Sequence, residues 1–213
     1  MPNELYGDLA AAYVRGMCPD APASADVAAL CDLGRRKGLK LHRFKRTAEL
    51  PRVRAVIGAL HGLSPATLAD VGSGRGVFLW PLLDAFPALA VTAIERDEQR
   101  HAHLAAVQRG GIERLNAVHA DATRLPFADA AFDVTTVLEV LEHQHDPLPL
   151  AAEAVRIAAR FVIATVPSKK DDNPEHVQLF TAASLTALLM EAGARSVKTD
   201  HVLNHIIAIA RIT

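Results

Sequence analysis

From about residue 66 onward, short apolar runs bounded by turn residues alternate with longer amphipathic ones. That alternation predicts an α/β domain built on a doubly wound, mostly parallel sheet. The short runs place strands near 67–71, 90–95, 115–119, 132–138 and 160–166, with helices between them at about 75–86, 97–109 and 147–158. A further helix is expected from Thr181 to Ala192, with Thr181 as its N-cap and Gly193 as its stop. Ala194–Ile212 reads as two more strands, making seven. Residues 1–62 lie outside this pattern and carry helical periodicity near 3–17, 24–34 and 47–61. Pro19 and Pro22 break the first two stretches, and Gly34 and Gly38 bracket a turn. The expected organisation is an N-terminal helical extension over 1–62 and one α/β domain over 63–213.

Composition narrows the partners. With 213 residues, 50% hydrophobic and 22% charged, the chain is large enough for a sizeable core. A net charge of -1 gives no global field towards nucleic acid or membrane. No run of 18 apolar residues occurs, so a cytoplasmic protein without membrane attachment is expected. Cys18 and Cys31 lack a C-x-x-C spacing and fit a reducing compartment. The basic stretch Arg35–Arg46, with Phe44 inside it, could meet phosphates but is expected to be a solvated face.

The chemistry concentrates after the first strand, in Asp70-Val71-Gly72-Ser73-Gly74-Arg75-Gly76-Val77. Glycines at alternate positions allow a sharp turn and close ligand approach, and a helix starting directly after them would offer free N–H groups. The dinucleotide fingerprint needs a third glycine where Val77 stands, and the phosphate-binding loop needs Gly-Lys-Ser/Thr, which Arg75-Gly76-Val77 does not supply. Glu95 ends the second strand about 20 residues past the loop, where an acid meets ribose hydroxyls.

The acid followed by G-x-G-x-G resembles motif I of the class I S-adenosylmethionine-dependent methyltransferases, specifically their type 11-like group. Asp121-Ala122 after the third strand, and Ala131–Leu138 as the fourth, match further motifs of that family in order, and the resemblance covers roughly residues 65–212. It implies a Rossmann-like methyltransferase fold with an antiparallel last strand, and S-adenosyl-L-methionine as cofactor. It also implies cofactor contacts from Asp70, Gly72, Ser73, Gly74, Gly76, Glu95, Arg96, Asp121, Ala122, Leu138 and Glu139. Asp121 would accept from the adenine amino group. The N-terminal helices would lid the cofactor and shape the acceptor site; covering an exposed sheet edge is the other reading.

On the acceptor side, a helical turn beginning at Glu139 would bring Glu142 and His143 to its face. Two carboxylates and an imidazole there can accept a proton or hold a divalent ion. The E-x-x-E-H spacing resembles the metal site of small-RNA 3′-terminal 2′-O-methyltransferases, which implies His176 as a fourth ligand. Those enzymes carry an asparagine-tyrosine signature that Val166–Asp172 does not supply. The expectation is therefore transfer to a small-molecule acceptor, with Glu142, His143 and His176 as catalytic residues and no metal. The alternatives are a metal-assisted enzyme acting on RNA through Glu139, Glu142, His143 and His176, and a non-catalytic S-adenosylmethionine-binding protein. His101 and His103 are expected on the surface, Asp133 is expected to be structural, and Phe78 and Trp80 are assigned to the core.

Overall fold

A computed structural model describes residues 5–170 and 172–213. Seven strands form one sheet: β1 (Thr67–Val71), β2 (Ala90–Glu95), β3 (Leu115–His119), β4 (Phe132–Leu138), β5 (Ala158–Pro167), β6 (Ser196–Val202) and β7 (His205–Arg211). The order across the sheet is β3-β2-β1-β4-β5-β7-β6. β1 pairs in parallel with both β2 and β4, while β7 runs antiparallel to β5 and β6. Chain direction thus reverses the order of travel at β1 and β4, whose carboxyl ends lie side by side. Crevices at such a point bind ligands in open α/β sheets.

The helices are α1 (Gly7–Met17), α2 (Val27–Arg36), α3 (Pro51–Leu63), α4 (Leu79–Ala85), α5 (Glu98–Arg109), α6 (Leu148–Ile157) and α7 (Ala182–Glu191). One apolar layer joins Leu68, Val91, Val134 and Ile163 of the sheet to Val56 and Leu60 of α3, Leu79 of α4 and Leu104 of α5. The other joins Ala69, Val71, Val137 and Ala164 to Leu150 of α6 and Leu185 of α7. Neighbouring strand residues thus go to opposite layers, as the pleat requires. Asp97 caps α5 by accepting from Arg100 N at 2.8 Å, and Thr181 forms a reciprocal capping box with Ser184.

Several expectations change. α4 starts at Leu79 rather than near 75, because Gly72, Gly74 and Gly76 all hold positive φ (78°, 57° and 82°) and cannot enter a right-handed helix. Gly34 lies inside α2 rather than at a turn, where a Cβ would stand 2.7 Å from Val14 of α1; Gly38 does form the turn, at φ 72°. A 3-10 turn at Leu41–Phe44 is an element the periodicity did not announce.

The N-terminal helices are built into the core. α1 crosses α5 so closely that a Cβ on Gly16 would lie 1.8 Å from Ala106 O, and one on Gly110 would lie 1.7 Å from Ala12 O. His103 of α5 is half-buried against the Tyr13 ring at 5.7 Å and bonds to Arg43, so it is not a surface residue. His101 is also half-buried, stacked on His119 at 5.3 Å. Phe44 bridges to Trp80, ring centroids 4.9 Å apart, which places Trp80 in the core as expected. Asp133 is structural, accepting from Ala66 N and Thr67 N. Within the basic stretch, Arg35 pairs with Asp32, Lys37 with Asp20, and Arg46 with Asp84.

Candidate functional site

The carboxyl ends of β1, β2 and β4 open into two adjoining cavities. The larger, about 410 Å³, is lined by Glu95, Arg96, Asp121, Ala122, Val140, His143, Gln144 and Glu175, among others. The smaller, about 190 Å³, is lined by Asp70, Ser73, Arg75, Val77, Phe78, Leu138 and Thr165, and by Arg52, Val53 and Val56 from α3. Gly72, Gly74 and Glu139 belong to both. Of the expected cofactor residues, all except Gly76 line one cavity or the other. Gly76 instead makes room beneath the Trp80 ring, which a Cβ there would meet at 2.1 Å.

The glycine loop does not offer its N–H groups to a ligand in the way expected from sequence. Gly72 N and Ser73 N both donate to Ile94 O, Gly76 N donates to Ser73 O, and Gly74 N donates to Glu95 Oε2 at 2.8 Å. Ser73 Oγ donates to Asp70 O. A phosphate-binding loop needs such N–H groups directed outward. Here the glycines supply space and positive φ, and Gly72 lets Val140 of the neighbouring turn approach, since a Cβ would lie 2.5 Å from Val140 Cγ2.

The acids around the loop differ in setting. Asp70 is buried, and its pKa is pushed up to about 6, chiefly by burial, against the opposing hydrogen bond from Thr136 Oγ1 at 2.7 Å. Glu95 is buried too, with Oε1 accepting from Asp97 N and Oε2 from Gly74 N. A carboxylate oxygen can accept more than one hydrogen bond, and Glu95 lines the larger cavity. Asp121 is exposed, and Thr123 donates to its Oδ1 from both N and Oγ1, which holds its carboxyl below the usual range and leaves Oδ2 to accept an amino group.

After β4 the expected single face breaks up. Glu139 takes a left-handed backbone, φ 58°, outside the short 3-10 turn Leu141–His143. Its N–H donates to Thr165 O, Thr165 Oγ1 donates to Oε1 at 2.8 Å, and Oε2 lies 3.0 Å from His205 Nε2 and 3.8 Å from Arg52 Nε. The positive φ swings this carboxylate away from Glu142 and His143, so the four-residue set is not assembled. Glu142, His143 and His176 do meet, with ligand atoms within 4.8 Å of one another. Glu142 is buried, and His143 Nδ1 bonds to Glu175 O at 2.9 Å. Of these three, His143 alone is among the residues lining the larger cavity. Arg52, Thr165 and His205 were not singled out from sequence. They come from three distant segments, and none sits in a local motif.

A methyltransferase-domain family model matches residues 69–160. The chain is 30% identical over 135 residues to a probable S-adenosylmethionine-dependent methyltransferase of Mycobacterium tuberculosis, an alignment covering 59% of this chain and 46% of that protein. It is 29% identical to a malonyl-[acyl-carrier protein] O-methyltransferase of Geobacter sulfurreducens, over 64% of this chain and 58% of that protein. It therefore spans about half the length of the curated relatives it matches. The crystal structure of a SAM-dependent methyltransferase from Aquifex aeolicus superposes with a TM-score of 0.66 at 21% identity, covering 78% of this chain and 92% of that one.

Proposed function

We propose that this chain is a class I S-adenosylmethionine-dependent methyltransferase and that it moves the methyl group of that cofactor onto a small-molecule acceptor. The larger cavity would hold the adenosine, with Asp121 Oδ2 placed to accept from the adenine amino group beside Ala122 and Glu95 from the ribose hydroxyls. Gly72, Gly74 and Glu139, shared by both cavities, would flank the sulfur, and Asp70, Ser73 and Leu138 of the smaller cavity would hold the amino-acid end. One observation carries this reading: the glycine loop spends its N–H groups internally, which suits a cofactor that brings no phosphate.

The methyl group of a sulfonium is already activated, so the protein's task is to align an in-line displacement. A hydroxyl acceptor must also lose a proton. His143, fixed through Nδ1 to Glu175 O, faces the larger cavity with Nε2 left to accept it, and Glu142 and His176 support its position. A neutral imidazole suits that step. The test is calorimetry with S-adenosylhomocysteine. The wild-type chain is expected to bind it, and Asp121→Ala to weaken it about 10-fold. Binding of NAD in its place, or unchanged affinity in the variant, overturns the assignment.

A second reading, metal-assisted methylation with RNA among its acceptors, is favoured by the meeting of Glu142, His143 and His176. A carboxylate and two imidazoles suit a divalent ion, and a ring nitrogen anchored to a carbonyl is how ligating histidines are oriented. It requires that EDTA lower turnover and that added Mn²⁺ or Mg²⁺ restore it; turnover unaffected by EDTA removes it. Among the described residues, no helix is long and apolar enough to cross a membrane.

A further inference from the structure

We propose that Arg52 of α3, outside the matched domain, is the residue that holds the α-carboxylate of the cofactor's amino-acid end, exchanging Glu139 for it. The inference rests on the cofactor placement above. With adenosine in the larger cavity, the amino-acid end reaches the smaller one, and its carboxylate needs donors there. The loop N–H groups of Gly72, Ser73, Gly74 and Gly76 are already committed. The cations lining that cavity are Arg52 and Arg75. Arg75 is exposed, whereas the Arg52 side chain is only 25% exposed and already sits against a carboxylate.

That carboxylate is Glu139, at 3.8 Å from Arg52 Nε, longer than a charge-assisted hydrogen bond. Glu139 does not depend on Arg52. Thr165 donates to Oε1, and His205 lies at hydrogen-bonding distance from Oε2. An incoming carboxylate can therefore take the guanidinium, with two parallel N–H donors, while Glu139 stays compensated. The exchange also ties α3 to the cofactor, since Val53 and Val56 of the same helix line the same cavity.

The test compares S-adenosylhomocysteine with its decarboxylated analogue, which lacks only that carboxylate, by calorimetry on the full chain. The wild-type chain is expected to prefer S-adenosylhomocysteine by about 10- to 100-fold. In Arg52→Ala the preference should shrink to within about 3-fold, affinity for the analogue should stay as in wild type, and Arg52→Lys should fall between, because a point charge lacks the fork. Arg75→Ala should keep the full preference. The proposal is overturned by a wild-type chain that binds both compounds equally, by a preference that survives in Arg52→Ala, or by one lost in Arg75→Ala instead. If neither compound binds the wild-type chain, the cofactor placement itself fails and takes this inference with it. The wild-type comparison needs no variant to fold.

Discussion

Two central strands leave the sheet side by side at the site, and both turn through left-handed backbone, but with opposite chemistry. After β1 the left-handed positions are Gly72, Gly74 and Gly76; after β4 the position is Glu139. Glycine takes positive φ without steric cost, whereas a residue with a Cβ pays about 1–2 kcal/mol. The glycine loop is therefore relaxed and clears space. The Glu139 turn is strained, and three bonds hold it: its N–H to Thr165 O, its Oε1 to Thr165 Oγ1, and its Oε2 to His205. Strain of this kind persists only where the surroundings over-determine it, and such positions cluster at functional sites. One turn makes room for a ligand, and the other places a charge at its edge.

Breaking the relaxed turn should have the largest effect. Gly72→Val adds both a forbidden backbone angle and a clash with Val140, whose Cγ2 lies 2.5 Å from the position of the new Cβ. A loss of about 3 kcal/mol or more in stability is expected, read as a lower denaturation midpoint, with S-adenosylhomocysteine binding lost. Near-wild-type stability would mean that the loop accommodates side chains and that its glycines are not steric.

Asp70, the buried acid of the smaller cavity, makes stability depend on pH. Burial raises its folded pKa to about 6, from the usual aspartate value of 3.8. The folded chain thus holds this proton where the unfolded chain has lost it. The resulting stability is fully present below about pH 4 and is lost as pH rises through about 6. The amount is on the order of 3 kcal/mol for a shift of this size. Asp70→Asn should flatten that part of the profile, so the variant gains on the wild type between pH 4 and pH 7 in urea unfolding. Parallel profiles would show that Asp70 is not the group responsible.

The same contrast explains what could be read from the sequence. Strands, caps at Asp97 and Thr181, and the glycine loop are local patterns, and the structure has them at the expected places. Where backbone angle overrides periodicity, the reading slipped: α4 starts late because three glycines precede it, and Glu139 leaves the expected face because its φ is 58°. Arg52, Thr165 and His205 meet at Glu139 only through tertiary packing, from 87, 26 and 66 positions away along the chain. No spacing rule encodes such a meeting.

The smallest expected effect is the sharpest test of the strain itself. Replacing Glu139 with alanine or with glycine removes the same side-chain bonds, so any difference between the two variants reports the backbone. Alanine keeps the penalty of positive φ and glycine releases it, although glycine also loosens the unfolded chain, which partly offsets the gain. Glu139→Gly is expected to be the more stable of the pair by about 1 kcal/mol, measured by denaturant unfolding under one condition. At an ordinary helical or extended position the order reverses, with alanine ahead. An alanine variant equal to or better than the glycine variant would therefore show that residue 139 carries no strain in solution. The two turns would then differ only in charge.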